Sequence, residues 1–223
     1  MKTIISVDGG KGGTGKSVVS SAFIDTALSE GKKVLVIEGD TSNPDIAKSY
    51  ENACEIKTLC LDTREGFIEL ATAVHQTEAE TIIINNPARS EKWGQFGDVF
   101  INNLQRLDAK MMVVWVANRQ QDSLELCRDF FEKYPYVPMF FCMNSYFGAP
   151  HKFEVWGTSK TRKKIMESGG GEIVFPDCAD RVMHSMRKAR LRWDQIESLE
   201  FGDFIEAERV RREAQELLKP YLI

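Results

Sequence analysis

Short apolar runs, mostly β-branched or aromatic, recur along the chain at residues 3–7, 33–37, 81–85, 111–116, 138–143 and 172–175. They are nearly continuous in their apolar character, with little alternation, which predicts strands buried on both faces. Between them, residues 17–29, 64–75, 96–107 and 122–133 carry apolar positions at helical spacing. Strand and helix in alternation predict an α/β fold, a mostly parallel sheet with helices on both faces in three α/β/α layers. Ligands of such a sheet bind at the carboxyl ends of the strands. Residues 146–171 are poorer in apolar periodicity and richer in Gly, Lys and Arg, which predicts a mobile surface excursion. An amphipathic helix over residues 203–219 is expected to pack Phe204, Ile205, Val210, Leu217 and Leu218 against the body. Its nearly balanced charges disfavour a membrane-targeting helix. A length of 223 residues suits a single domain across residues 1–223.

Directly after the first strand stands Gly10-Lys11-Gly12-Gly13-Thr14-Gly15-Lys16-Ser17, followed by helical periodicity. This satisfies G-x-x-x-x-G-K-[ST] in the strand–loop–helix context that the motif requires, and predicts a P-loop nucleotide-binding domain. Glycines let successive backbone N–H groups turn toward an anion at φ values that a Cβ would oppose. Lys16 is then expected at the β/γ-phosphates, Ser17 as a hydroxyl ligand to Mg²⁺, and Val18 at the dipole-bearing start of the helix.

With its second lysine, Lys11, the loop resembles the deviant Walker A motif of the ParA/MinD superfamily of ATPases. That resemblance implies ATP and Mg²⁺ as cofactors and an ATP-sandwich homodimer in which Lys11 reaches the partner's nucleotide. It assigns catalytic roles to Lys11, Lys16 and Asp40, the last in the acidic segment Glu38-Gly39-Asp40-Thr41-Ser42-Asn43-Pro44. Asp40 matches the residue that positions the attacking water beside the metal, and it also fits a turn-forming aspartate. Glu38 is a further carboxylate near this site. Asn85, in Asn85-Asn86-Pro87, stands where the superfamily usually has an aspartate. It can hold the metal through a water but lacks the charge, which implies slow hydrolysis. Asn144 matches the base-binding asparagine, its amide complementary to adenine. Pro176 and Asp177 match the segment lying over the base, and Pro176 also fits an ordinary strand terminator. The short spacing from loop to Asn85 and the Asn-Asn-Pro variant resemble the small plasmid-borne StbB/TraL-like proteins of stability and conjugation.

Charge extends the picture to partners. The chain is −4 overall, yet residues 151–192 hold ten Lys/Arg against five acids, so that stretch is +5 and the remainder −9. Arg187, Lys188, Arg190 and Arg192 form a candidate DNA patch, with a solvated helix face as the alternative. A dimerising ATP switch in plasmid partition, stability or conjugative transfer is expected, acting on DNA or a plasmid-encoded DNA-binding adaptor. The competing classes are a dethiobiotin-synthetase-like ATP-dependent ligase and an ATP-binding adaptor without significant hydrolysis. Five scattered cysteines without C-x-x-C spacing give no expectation of a disulfide framework or zinc site. Nor is there a clearly placed pair for the bridging cluster of nitrogenase-type reductases. No apolar run is long enough for a bilayer span and the N-terminus reads as a strand, so a cytoplasmic, nucleoid-compatible protein is expected.

Overall fold

A computed structural model describes residues 1–88 and 93–222, with the side chains of 93–95 left aside. Among these residues the strands are β1 (Lys2–Asp8), β2 (Val34–Glu38), β3 (Glu55–Thr58), β4 (Thr81–Asn85), β5 (Ala109–Ala117), β6 (Met139–Asn144) and β7 (Gly171–Phe175). All pair in parallel, in the order β3-β2-β4-β1-β5-β6-β7. The helices are α1 (Lys16–Ser29), α2 (Asp45–Tyr50), α3 (Arg64–Gln76), α4 (Trp93–Asn102), α5 (Gln121–Lys133), α6 (Glu154–Gly157), α7 (Lys160–Glu167), α8 (Asp180–Ala189) and α9 (Phe201–Leu218).

Alternate strand residues feed two cores. Ile4, Leu35, Ile37, Ile82, Ile84, Val113 and Trp115 pack with α3, α4 and α5 on one face. Ile5, Val7, Val36, Ile83, Val114 and Val116 pack with α1, α2 and α9 on the other. This is the expected three-layer α/β/α arrangement, and it explains the apolar runs, since both faces of the central strands β1, β2, β4 and β5 meet a helix layer. A smaller cluster of Val182, Met186, Trp193, Ile196, Ala207 and Val210 joins α8 to α9.

Residues 146–171 do not form the expected excursion. They fold as 3-10 turns, α6 and α7, and bury Phe153, Trp156 and Ile165 in the first core. Trp156 stacks on Phe141 at 3.7 Å between ring centroids, and its indole N–H donates to Glu172. On α9 the buried stripe is Asp203, Ala207, Val210, Ala214 and Leu218, whereas Ile205, expected in the core, is 48% exposed. Small residues at this stripe let α9 lie close against α1.

The strand order places β1 between β4 and β5, so successive connections depart to opposite sides of β1. A ligand crevice opens at that switch point, beyond the carboxyl ends of the strands. Asp8, Glu38, Asn85, Ala117, Asn144 and Phe175 end six of the strands there.

Candidate nucleotide site

The loop between β1 and α1 is held from both ends. Asp8 is buried, and its Oδ1 accepts the N–H groups of Gly9 at 2.6 Å and Gly10 at 3.0 Å. Burial pushes the Asp8 carboxyl up, opposed by those two N–H groups and by the charge of Lys16. At the other end Gly15 adopts φ +99°, and a Cβ there would collide with Asn144 Nδ2. That amide donates to the Thr14 carbonyl at 2.9 Å, while Asn144 Oδ1 accepts the Tyr146 N–H at 3.1 Å. Asn144, expected at the adenine, thus also ties β6 to the phosphate loop, with half of its amide capacity already used.

Between these anchors Gly10 and Gly13 also take positive φ, and Gly12 and Gly13 are exposed. Thr14 is buried, Ser17 is exposed, and Val18 packs against the clusters on either side of α1. Lys16 is 8% exposed and its ammonium donates to the Lys11 carbonyl at 2.7 Å, spanning the loop. Burial lowers its pKa, opposed by Asp8 and then Asp40. Lys11 turns elsewhere: its ammonium pairs with Asp122 and donates to Gln120 Oε1 at 3.3 Å, both at the start of α5.

The acidic segment and the third site strand meet in one buried group. Asn85 Nδ2 donates to Glu38 Oε1 at 2.8 Å, and Asn85 Oδ1 accepts the Ser20 hydroxyl at 3.0 Å. Glu38 Oε1 also accepts the Asp40 N–H at 3.1 Å. Glu38 is 0% exposed, and its Oε2 has no hydrogen-bond partner among the described residues. Burial raises its carboxyl, opposed by the Asn85 amide and by the N–H groups of Asp40 and Ala47, while the Asp40 charge adds to the rise. Asp40 itself is half-buried, and its Oδ1 accepts Ser42 Oγ at 2.6 Å and the Asn43 N–H at 3.1 Å. The turn expected of Ser-Asn-Pro is therefore present, and it uses one oxygen of the carboxylate also expected at the metal.

Pro176 and Asp177 line a cavity of about 400 Å³ with Ser145, Arg209, Glu213 and Leu217. Arg209 spans it, donating to the Asp177 carbonyl at 2.9 Å and to Glu206 and Glu213 on its own helix. The structure brings these residues beside the Asn144 strand end. The basic patch is only partly realised: Arg187, Lys188 and Arg190 are exposed, whereas Arg192 forms a bidentate pair with Asp194 and its side chain is 17% exposed.

Asp8, Ser20, Gln120, Asp122 and Arg209 are site neighbours that sequence reading missed. Asp8 was the visible one, adjoining the loop, but an acid beside a phosphate cradle has the wrong sign for a ligand. Among the described residues no cluster of three or more His, Cys, Asp or Glu is placed to hold a metal by itself, and no helix is long and apolar enough to cross a membrane. A cation here would draw further oxygen ligands from a nucleotide, as Mg²⁺ does with phosphates.

No family model matches the chain. It is 36% identical over 220 residues to Protein MobD of Acidithiobacillus ferrooxidans, across 98% of this chain and 97% of that protein. Among solved structures, MinD, the septum site-determining protein of Pyrococcus horikoshii OT3, complexed with Mg-ADP, matches with a TM-score of 0.56 at 15% identity, over 99% of each chain. A candidate plasmid partition protein of Borrelia burgdorferi B31 bound to AMPPNP matches with a TM-score of 0.58 at 16% identity, over 96% of this chain and 98% of that one. These structural neighbours are P-loop proteins of the ParA/MinD type, and at such identities the likeness is one of fold.

Proposed function

The chain belongs to the MobD family, and from that premise we propose that it is an ATP-binding, slowly hydrolysing switch that dimerises across its nucleotide and acts in plasmid partition, stability or conjugative transfer. The observation that carries this reading is the division of labour between the two loop lysines. Lys16 bonds back across its own loop, while the Lys11 ammonium leaves it for Asp122. A lysine directed away from its own phosphate site reaches a second copy of the chain by exchanging Asp122 and Gln120 for the partner's nucleotide. The nucleotide-bound state of the ParA/MinD-type neighbours supports ATP as the ligand.

The residues present fit a nucleotide phosphate with its metal. Positive-φ glycines form the cradle, a buried ammonium spans it, and the orphaned Glu38 Oε2 lies at the same end of the sheet. Ser17, Asp40 and Asn85 would hold Mg²⁺, Asn85 through a water. When bound, Mg²⁺ supplies charge compensation at the β/γ-phosphates. Lys16 adds a fixed positive charge there, and Asp40 orients the attacking water. The uncharged Asn85 makes hydrolysis slow. Asn144, Pro176 and Asp177 receive the base. The finer StbB/TraL-like placement rests on the Asn-Asn-Pro variant.

Light scattering coupled to size exclusion tests the switch. With ATP and Mg²⁺ the chain becomes a dimer, and Lys11→Ala weakens that dimer by about 100-fold or more, as expected for loss of two charge-assisted hydrogen bonds, one at each site. Dimerisation indifferent to ATP and to Lys11 would favour the ligase class instead.

DNA is the proposed partner of the exposed Arg187, Lys188 and Arg190, which dimerisation doubles. Reversing these three to Glu lowers duplex affinity and reduces the slope of log K against log salt by roughly 0.9 for each phosphate no longer neutralised. Arg192→Ala leaves that slope unchanged, because its guanidinium is already paired with Asp194. Equal slopes for the parent and the triple variant would remove DNA from the reading and leave a protein adaptor.

A further inference from the structure

The cavity beyond the end of β7 is lined by a guanidinium whose polar edge is fully engaged. Arginine carries five N–H donors. Arg209 makes five hydrogen bonds with them: Nε donates to Glu206 Oε2 at 2.9 Å, Nη1 to both oxygens of Glu213 at 3.0 Å, and Nη2 to Glu206 Oε1 at 2.8 Å and to the Asp177 carbonyl at 2.9 Å. The two glutamates lie three residues before and four residues after it on α9, the spacings at which helical side chains meet. The bond to Asp177 ties the segment after β7 to the same helix.

With its donors spent, the Arg209 side chain is still 41% exposed. The five N–H groups lie in the guanidinium plane, so what remains open is the aliphatic stem and the flat face. Around the cavity of about 400 Å³ stand the apolar Val174, Pro176 and Leu217. Glu206, Glu213 and Asp177 outnumber the single positive charge, so this is no place for another phosphate. Apolar walls and an immobilised planar cation suit a flat, uncharged π-system, on which guanidinium faces stack.

We propose that Arg209 is a stacking platform for the nucleobase and sets a preference for purine over pyrimidine nucleotides. Two fused rings cover more of the guanidinium plane than one ring does. The paired glutamates hold that plane fixed before the ligand arrives, so little side-chain entropy is lost on binding. This inference rests on the nucleotide reading above and deepens it.

The test is calorimetric titration of the full-length chain with ATP, CTP and inorganic tripolyphosphate, each with Mg²⁺. The parent binds ATP more tightly than CTP, and CTP more tightly than tripolyphosphate. Arg209→Lys keeps the charge and removes the plane: ATP affinity falls by about tenfold and CTP affinity by about threefold or less, the range of cation–π contacts from desolvated to exposed. Tripolyphosphate affinity stays at the parental value, which a merely structural loss would not spare. A second variant, Val174→Trp, leaves every Arg209 bond in place, fills the cavity from the exposed side of β7, and lowers ATP affinity while sparing tripolyphosphate. If R209K binds ATP as the parent does, or loses ATP and tripolyphosphate alike, Arg209 is only a clamp between β7 and α9 and the inference is wrong. Should R209K be unfolded at the assay temperature, V174W decides, and an unchanged ATP affinity overturns the proposal. Equal parental affinities for ATP and CTP overturn it too, while the phosphate-loop reading stands. A parent that binds none of the three ligands overturns both.

Discussion

Lys16→Ala lowers nucleotide affinity by about 100-fold while the protein remains folded, an effect on the scale of losing one hydrogen bond to a charged group together with its Coulomb attraction. The position explains the size. The ammonium is already desolvated, at 8% exposure, and is held across the loop by the Lys11 carbonyl. Incoming phosphate therefore meets a charge that has shed most of its competing water, in surroundings where electrostatic interactions are strong. Calorimetric titration with ATP and Mg²⁺ measures the loss, and far-UV circular dichroism establishes that the variant is folded. An affinity within about threefold of the parent, less than a single charge-assisted hydrogen bond contributes, would remove Lys16 from the phosphate site.

The second large effect is on stability and lies behind the loop. Asp25 of α1 is buried with its carboxylate gripped by Arg211 of α9 through two bonds of 2.9 Å, and by Gln215 at 2.8 Å. Arg211→Ala leaves that carboxylate with the Gln215 amide. Removing one partner of a fully buried pair costs about 3–5 kcal/mol. The Arg211 side chain is 28% exposed, so solvent screens part of this, and about 2–3 kcal/mol is expected. For a chain of this length that lowers the unfolding midpoint by roughly 4–12 °C. Differential scanning calorimetry reads it directly. The paired change Asp25→Leu with Arg211→Met recovers much of the loss, since replacing both charges by apolar groups removes the uncompensated carboxylate. An Arg211→Ala midpoint equal to the parent's would mean that the pair contributes nothing.

The sheet was legible because its strands are buried on both faces, and such strands announce themselves as apolar runs. The six expected strands fall within two residues of the observed ends. β3 was not visible: at the sheet edge it reads Glu-Ile-Lys-Thr, with a partner on one side and three of four side chains exposed. Helices α2 and α8 each bury only two side chains four apart, Ile46 with Tyr50 and Val182 with Met186, too few for a periodicity to register. In residues 146–171 the anchors are single and widely spaced, and Trp156 owes its burial to Phe141, a strand away.

For the site, the loop was legible because its function depends on local backbone shape. The couplings were not. Glu38 and Asn85 are 47 residues apart, and Ser20 and Asn85 are 65 apart, so that only strand order brings them together. Asn144 was read for its amide chemistry alone, yet its neighbour across 130 residues is the phosphate loop itself. Arg192 looked like its basic neighbours until Asp194, two positions on, proved to neutralise it.

Asp8 also bears on how fast the protein loads. Because its carboxylate already gathers the N–H groups of Gly9 and Gly10, and Asn144 pins the far end, the loop's backbone is ordered at folding and not at encounter. A ligand arriving at such a loop gives up little of its binding energy to conformational entropy, and the association rate is not throttled by waiting for a rare open shape. Residence time on the protein then becomes the quantity that sets occupancy, which is the property a timer needs.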